Sequence, residues 1–448
     1  MILIYSEKIS NRIEYTVSVL FGQLLNVSYG LTTSENEFAA HSGPRVCYGK
    51  RKPDGKLLHI PAHGFLLERG VHYFRPECRM NHDLPELFPM ENKEIELAFD
   101  MLSAIFYQLS RYEEYLPHRK DSCGRFEATE SYAFRHGFLH LPVVNHYARL
   151  IREQLTKLYP DYHFSLPEFT FIPTYDIDVA FAYRGRGILR TILGALRSIA
   201  AMDFASVVQR VNVLLGKDRD PFDTFDLQLK LSRESEIRAI YFFLLGDYGP
   251  FDKNVSYFSQ KLFLLIRKLG DYAHIGIHPS FAAGDNEVLM GREIARLKKI
   301  MHEEARFSRQ HFLKLNFPGT YQALVSQNIR YDFSMGYASQ PGFRAGICSP
   351  YPFYDLETES QAPLTIMPFA IMDGTFRDYL KMNPENALAV INSLMDEVEK
   401  VGGTFISLWH NDALCECQGW QGWRDVYLSM YQRASQKHSK ANDPIYSA

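Results

Sequence analysis

Phe171-Ile-Pro-Thr-Tyr-Asp-Ile-Asp178 is an apolar stretch that ends in two carboxylates separated by a single isoleucine. Side chains alternate along an extended strand, so Asp176 and Asp178 are expected to point to the same side. Two neighbouring carboxylates repel each other unless a cation or a shared proton relieves the repulsion. The pair therefore indicates a metal or acid–base site at a strand end. The alternative is a turn residue followed by a helix N-cap, since both positions favour Asp.

Two histidines follow about a hundred residues later, in His274-Ile-Gly-Ile-His278-Pro279. In a fully extended strand their α-carbons would be roughly 13 Å apart, too far to share one ion. In a helical turn their β-carbons would lie about 6 Å apart, and Gly276 and Pro279 permit such a turn. The spacing therefore predicts a turn whose two imidazoles clamp a metal ion. The alternative is a pair of histidines that cap a strand.

A third stretch, Thr404-Phe-Ile-Ser-Leu-Trp-His410, is typical of a buried strand that ends in a histidine. Strand and helix patterns alternate through this half of the chain, which predicts a parallel sheet with crossover helices. Sites in such folds form at the carboxyl ends of the strands. Three strands that each end in Asp or His are therefore expected to meet at one site.

Taken together, these motifs resemble those of the polysaccharide deacetylase family (NodB homology, carbohydrate esterase family four). Thr174-Tyr-Asp176-Ile-Asp178 resembles its Thr-Phe-Asp-Asp motif, with one residue inserted between the acids. His274-Ile-Gly-Ile-His278-Pro279 resembles its His-Ser/Thr-x-x-His-Pro motif, with Ile275 in place of the hydroxyl residue. Leu408-Trp-His410 resembles its Leu-x-His motif. The resemblance covers the chain from about residue 164 to 423.

The resemblance implies an α/β fold in which a distorted (β/α) barrel of about seven strands follows a smaller α/β domain. Residues 1–163 are the expected accessory domain, and residues 164–448 the expected barrel. A helical insertion near 184–222 places several arginines among apolar residues. It is expected to be a packed helix with a solvated basic side; a substrate flap and a membrane-surface helix are the alternatives.

The resemblance also implies the reaction, which is the removal of N-acetyl groups from an amino sugar in a polysaccharide or a smaller glycan. Asp178, His274 and His278 would hold a divalent metal, with zinc as the expected ion. Asp176 would act as general base and His410 as general acid. The metal would activate a water and polarise the carbonyl group.

Two further residues are expected to support this chemistry. Asp332 lies roughly where the family places the acid that tunes the catalytic histidine, and Asp373 is the other candidate. The family's Arg-x-Pro motif corresponds to Asn316-Phe-Pro318, which lacks the arginine. Arg344 is expected to supply the missing charge, with the alternatives Arg309 and Lys314.

Composition limits the other functional classes. A hydrophobic fraction of 46%, a charged fraction of 23% and a net charge of −3 are typical of a globular protein without a basic surface for nucleic acid. Six scattered cysteines and no recognisable leader or apolar span predict a cytoplasmic location without a transmembrane segment. Two other functions stay open: hydrolysis of another non-peptide amide, and a catalytically weak, metal-containing carbohydrate-binding or assembly protein. The oligomeric state is not predicted.

Overall fold

The computed structural model describes residues 1–81, 84–90, 97–440 and 445. Its strands are β1 (Ile2–Ser6), β2 (Tyr29–Thr32), β3 (Arg45–Gly49), β4 (Leu58–Pro61), β5 (Cys78–Asn81), β6 (Leu84–Leu87), β7 (Thr170–Ile177), β8 (Ile240–Leu244), β9 (His274–His278), β10 (Phe307–Ser308), β11 (Tyr331–Asp332), β12 (Tyr351–Asp355), β13 (Ser360–Ile366), β14 (Ile371–Met372) and β15 (Thr404–His410).

The α-helices of the same residues connect or flank these strands. They are α1 (Asn11–Val17), α2 (Glu35–Ala40), α3 (Met101–Leu109), α4 (Tyr112–Tyr115), α5 (Tyr132–Arg135), α6 (Val143–Leu158), α7 (Ile188–Ala200), α8 (Phe204–Leu214), α9 (Phe225–Ser235), α10 (Gln260–Gly270), α11 (Glu287–Met301), α12 (Gly319–Ser326), α13 (Pro384–Val401) and α14 (Trp423–Lys437). Two π-helical segments, Ser18–Leu24 and Thr375–Tyr379, and several short 3-10 helices are also present.

One large sheet organises the second part of the chain, with the strand order β12-β13-β11-β10-β9-β8-β7-β15-β14. All neighbouring strands are parallel except β12 and β13, which are antiparallel. Every residue of β7 is buried, as expected for a strand covered on both faces. The prediction of a mixed α/β fold with a parallel sheet is confirmed.

The sheet does not close into the expected barrel. β12 and β14 lie at the two ends of the series, and no strand pairing joins them within the part of the chain that the structure describes. The observed sheet keeps one feature of the predicted barrel, which is a common edge where parallel strands end. The carboxyl ends of β7, β9, β10 and β15 lie along the same edge, because these strands are parallel.

The first 160 residues contain their own four-stranded parallel sheet, with the order β2-β1-β3-β4. This region packs against β12 and β13 of the large sheet. Arg12 is buried and binds Glu359 through two nitrogens, and the Tyr15 hydroxyl donates to the Pro352 carbonyl at 2.8 Å. One hydrophobic cluster contains buried side chains from both regions. The division into domains at residue 163 therefore stays a prediction.

The predicted insertion forms a hairpin of α7 and α8. The expectation that its apolar residues pack against the rest of the chain is wrong, because α7 contains no buried residue. In α8 the buried residue is Val213, which packs with Ala182, Tyr183 and Phe222 at the base of the hairpin. The hairpin therefore presents apolar side chains to solvent.

No helix in the described ranges is long and apolar enough to cross a membrane. Cys415 and Cys417 form a disulfide bond with each other, while Cys47, Cys78, Cys123 and Cys348 are free thiols. The cytoplasmic location stays a prediction.

Candidate active site

A small cavity of about 190 Å³ opens where β7, β9, β10 and β15 end. Asp176 and Asp178 reach it from β7, His278 from the last position of β9, and His410 from the last position of β15. β15 pairs with β7 in a register that places His410 opposite Asp176. The parallel ladder therefore brings these three strand ends together, as the sequence predicts.

Asp178, His278 and His311 form a group that could hold a metal ion. One ligand atom from each residue lies within 4.8 Å of the other two. Nε2 of His278 is 3.2 Å from Oδ1 of Asp178, and Nε2 of His311 is 3.4 Å from Oδ2 of the same carboxylate. Two imidazoles and one carboxylate are a common donor set for a catalytic divalent ion.

The tautomers of both histidines suit a bound cation. Nδ1 of His278 contacts the carbonyl oxygen of Arg309, and Nδ1 of His311 lies 2.8 Å from the carboxylate of Asp252. Both partners only accept hydrogen bonds, so each neutral ring carries its proton on Nδ1 and its lone pair on Nε2. Such outer partners orient metal-ligating histidines in general.

Two buried atoms at this position have no hydrogen-bond partner. They are Nε2 of His278 and Oδ1 of Asp178, which face each other without the geometry of a hydrogen bond. Buried polar atoms are rarely left unsatisfied, because their desolvation costs about 1–3 kcal/mol. A divalent cation between them would satisfy both atoms, so the residues present fit the metal that the sequence resemblance implies.

The electrostatics of the group favour positive charge. Burial alone would lower the pKa of His311, but Asp178 and Asp252 outweigh it and raise that pKa to about 9. Burial alone would also raise the pKa of Asp178, but His311 and the other imidazoles hold it well below its ordinary value. The negative charges of Asp178 and Asp252 therefore favour a proton or a metal ion at this position.

Asp176 lies beside this group and is held by a buried arginine. Nη1 of Arg309 donates to Oδ1 of Asp176 at 2.8 Å, while its Nε donates to the Phe333 carbonyl. Oδ2 of Asp176 lies 3.7 Å from Nε2 of His278. The arginine therefore fixes one oxygen of the carboxylate and leaves the other toward the metal group.

His410 lies across the cavity and is oriented by Asp373. Oδ1 of Asp373 is 2.8 Å from Nδ1 of His410, and Oδ2 accepts from the His410 backbone N–H at 2.7 Å. Burial alone would lower the pKa of His410, but Asp373 reverses this and holds the pKa well above its ordinary value. Nε2 of His410 points into the site, 3.7 Å from Oδ2 of Asp178. The ring can therefore carry a proton toward a bound substrate.

The structure contradicts the prediction that His274 joins Asp178 and His278. The two histidines occupy the first and last positions of the strand β9, so about 13 Å of extended backbone separates them. The His274 ring packs 5.2 Å from the Phe307 ring at the amino ends of the strands. The His-x-x-x-His spacing predicts a turn, but the segment forms a strand. His311 instead supplies the second imidazole of the group.

The structure also contradicts the expected contacts of Asp332 and Arg344. Asp332 is fully buried at the end of β11, where its carboxylate accepts hydrogen bonds from Ser308 and Ser334 instead of His410. Arg344 forms a double hydrogen bond with the buried carboxylate of Glu114, outside the cavity. Asp373 and Arg309 therefore hold the positions that Asp332 and Arg344 were expected to hold.

Sequence reasoning missed His311 as a ligand and Asp252 as its partner. The available signal is Arg309-Gln-His311, which directly follows the two buried residues of β10, Phe307 and Ser308, at the carboxyl edge of the sheet. That strand has only two residues, too few for an alternating pattern to be recognised. Asp252 lies in the loop after β8 and has no sequence signal of its own.

The N-terminal region contributes one wall of the cavity through Arg125. Its guanidinium donates to the Phe312 carbonyl at 2.8 Å and to the Tyr379 hydroxyl at 3.1 Å, and it pairs with Asp121. Phe312 and Tyr379 line the same cavity. The N-terminal region therefore contacts residues that line the site directly.

Residues 2–160 match a family model described as a family of unknown function (DUF7033). No curated protein matches this sequence. Similar solved structures include a putative polysaccharide deacetylase from Mycobacterium smegmatis, with 13% identity, a TM-score of 0.39, and coverage of 61% of this chain and 91% of that chain.

Two other solved structures are similar at the same level. The Puue allantoinase has 11% identity and a TM-score of 0.37, over 60% of this chain and 85% of that chain. A probable polysaccharide deacetylase from Pseudomonas aeruginosa PAO1 has 12% identity and a TM-score of 0.37, over 61% and 85%. At these scores the similarity carries no functional inference, which has to come from the residues of the site.

Proposed function

We propose that this chain is a metal-dependent hydrolase that removes the N-acetyl group from an amino sugar. The observation that carries the proposal is that three kinds of group line one small cavity. They are a possible ion site (Asp178, His278 and His311), a carboxylate fixed by Arg309 (Asp176), and a histidine fixed by a second carboxylate (His410). The motif resemblance supplies the class of substrate.

The three ligands would hold a divalent ion, with zinc as the expected one. When bound, the ion would lower the pKa of a water molecule and polarise the acetyl carbonyl. The Nδ1–H groups on the Arg309 carbonyl and on Asp252 keep both Nε2 lone pairs directed at that position. The protein therefore presents the ligands without a rearrangement of either ring.

Asp176 is the proposed general base. Its free oxygen lies 3.7 Å from Nε2 of His278, so it can accept the proton of a water molecule at the ion site. Arg309 is fully buried and donates to the other oxygen of this carboxylate at 2.8 Å, which fixes the orientation of the carboxylate.

His410 is the proposed general acid. Its Nε2–H points into the cavity, 3.7 Å from Oδ2 of Asp178, where it can donate the proton that the leaving amine needs. Asp373 holds Nδ1 and stabilises the protonated ring. Proton transfer by a positioned group of this kind contributes about 10²–10⁴-fold to a rate.

A hydrolase acting on another non-peptide amide would use the same groups, so substrate identity requires an assay. The alternative of a catalytically weak binding protein was based on the missing arginine of the Arg-x-Pro motif. Arg309 supplies a buried positive charge at Asp176, which removes that basis. Hydrolysis of an N-acetylated sugar remains the function that these residues support best.

The experiment is to load the protein with zinc and measure acetate release from N-acetylglucosamine oligomers. Asp176→Asn should bind zinc but lose turnover by about 10²–10⁴-fold, because it removes the base without removing a ligand. His274→Gln is the matched control and should keep both properties. Zinc-loaded protein that releases acetate from no N-acetylated sugar would contradict the substrate, and an active Asp176→Asn variant would contradict the mechanism.

A further inference from the structure

The helix α7 turns its large apolar side chains toward solvent. Ile188 is 82% exposed and Leu189 is 71% exposed, and Ile192, Leu193 and Leu196 are exposed as well. At about 100° per residue, these five side chains fall within an arc of roughly 140°. The helix is therefore amphipathic, and its apolar side is the one that faces away from the protein.

The helix α8 has the same arrangement. Phe204 is 62% exposed and Leu215, which follows the helix, is 65% exposed; Val208 and Val211 are also exposed. These positions fall within an arc of roughly 60°. Both helices of the hairpin therefore expose an apolar side.

The contact between the two helices uses small and polar groups instead. Nη1 of Arg210 donates to the Thr191 carbonyl at 3.4 Å, and a β-carbon on Gly194 would lie 2.5 Å from the same nitrogen. A helix on the surface of a globular protein usually buries its apolar side and exposes its polar one. The reversed arrangement marks an interaction surface, since large exposed apolar patches rarely occur without a partner.

The charge of the hairpin indicates which partner it fits. Residues 184–217 contain six basic residues and one acidic residue, Asp203. Arg197 lies just beyond the apolar arc of α7 and is exposed, whereas Arg190 on the same side donates to the Asn254 carbonyl and lies over the Tyr248 ring. Basic residues beside an apolar side are typical of helices that lie in the surface of an anionic membrane. A second copy of this chain would instead bring like charges together across the apolar contact.

The base of the hairpin is fixed next to the cavity. The buried carboxylate of Asp220 accepts hydrogen bonds from the backbone N–H groups of Ala182, Tyr183 and Arg184. The Asn411 side chain, adjacent to His410, donates to the carbonyls of Val179 and Phe222. We propose that the α7–α8 hairpin docks this chain onto the surface of a bilayer that contains anionic phospholipid. This inference rests on the hairpin and does not depend on the proposed reaction.

The test is co-sedimentation of the full chain with vesicles. Vesicles of phosphatidylcholine that contain roughly 30% of the anionic lipid phosphatidylglycerol should bind the protein at low salt. Pure phosphatidylcholine vesicles should bind it much less. Added salt should weaken the binding, because it screens the basic residues. The double variant Leu193→Ser/Leu196→Ser should lower the partition coefficient by about tenfold or more, since it removes two apolar groups from the contact.

Two further variants separate the contributions. Arg197→Glu should weaken binding to the anionic vesicles by about tenfold, because it changes the local charge by two. Val288→Ser changes an exposed apolar residue on α11 and should bind as the wild type does. Failure to bind anionic vesicles, or binding that the hairpin variants do not change, would overturn the proposal. Self-association in sedimentation velocity that Leu193→Ser/Leu196→Ser abolishes, without vesicle binding, would assign the surface to a second copy instead.

Discussion

Replacement of Asp373 by asparagine tests how the site orients its acid. The carboxylate accepts from three donors: Oδ1 accepts from the ring Nδ1–H of His410 at 2.8 Å and from the Gly374 backbone N–H at 2.6 Å, and Oδ2 accepts from the His410 backbone N–H at 2.7 Å. Asparagine replaces one of these two oxygens with an NH₂ group, so the donors on that side lose their acceptor. If its oxygen keeps the backbone N–H, its NH₂ faces the ring and forces Nδ1 to act as an acceptor.

The ring then loses the negative charge that stabilises its protonated form. Its pKa should fall from well above the ordinary value of histidine, because Asp373 is the group that outweighs burial there. A neutral ring is a poor proton donor at neutral pH. We expect a loss of turnover of about 10²–10⁴-fold, which corresponds to about 3–5 kcal/mol of transition-state stabilisation.

The assay is the turnover number on the acetylated substrate, measured at equal zinc occupancy, together with NMR titration of the His410 ring in the metal-free protein. Asp332→Asn is the matched control, since that buried acid contacts Ser308 and Ser334 and not His410. It should lower stability by about 1–3 kcal/mol and leave the His410 titration unchanged. Full turnover in Asp373→Asn, or a titration that shifts in Asp332→Asn instead, would refute the assignment.

Three other predictions concern stability. Arg344→Met should lower the free energy of unfolding by about 3 kcal/mol in denaturant titrations, because it removes a guanidinium that pairs with the buried Glu114 and leaves Arg111 as the remaining partner among the described residues. Zinc affinity should not change. Burial alone would raise the pKa of Glu114, but Arg344 and Arg111 outweigh it and lower that pKa. A carboxyl group whose folded pKa is lowered stabilises the fold above its unfolded pKa, and this contribution disappears as the pH falls through the folded value. Glu114→Gln should therefore reduce the acid sensitivity of the unfolding midpoint, and an unchanged acid limb would contradict this. Zinc at about 100 times its dissociation constant should stabilise the protein by about 2.7 kcal/mol, and a chelator should reverse the effect; identical unfolding curves with and without zinc would count against a site in the folded state.

Four residues of the candidate site could be recognised from the sequence, three of them because they end or directly follow a predicted strand and His278 through the His-x-x-x-His-Pro motif. Asp176, Asp178 and His410 follow long apolar runs, β7 and β15, in which nearly every residue is buried. His278 ends the shorter run of β9. For Asp176, Asp178 and His410 the local pattern predicts both the strand and the end of it that carries the polar group, so the order of the sheet is not needed.

His274 was misplaced because His-x-x-x-His fits a helical turn as well as a strand. Ile275 and Ile277 favour a strand through their β-branched side chains, and pairing with β8 from Ile240 to Leu244 selects it. That pairing is a tertiary contact, and it separates the two histidines by the full length of β9. The local residues alone left both conformations open.

Asp332 and Asp373 could not be distinguished by sequence, since each follows or ends a strand of two residues. The order of the sheet decides between them: β14 is the neighbour of β15, whereas β11 is separated from β15 by four strands. Met372 pairs with Leu408, which brings Asp373 alongside His410. Strand order depends on how the whole sheet assembles. The position of Arg309 beside Asp176 depends on the same strand order, so local sequence does not predict it either.

The central claim is that Asp178, His278 and His311 bind one divalent ion, and zinc binding to His311→Gln tests it most directly. Equilibrium dialysis with zinc should give one tightly bound ion in the wild type and in the control variant His274→Gln. In His311→Gln the affinity should fall by at least about 100-fold, because two remaining ligands hold the ion poorly. Tight zinc binding that survives in His311→Gln but disappears in His274→Gln would contradict the account.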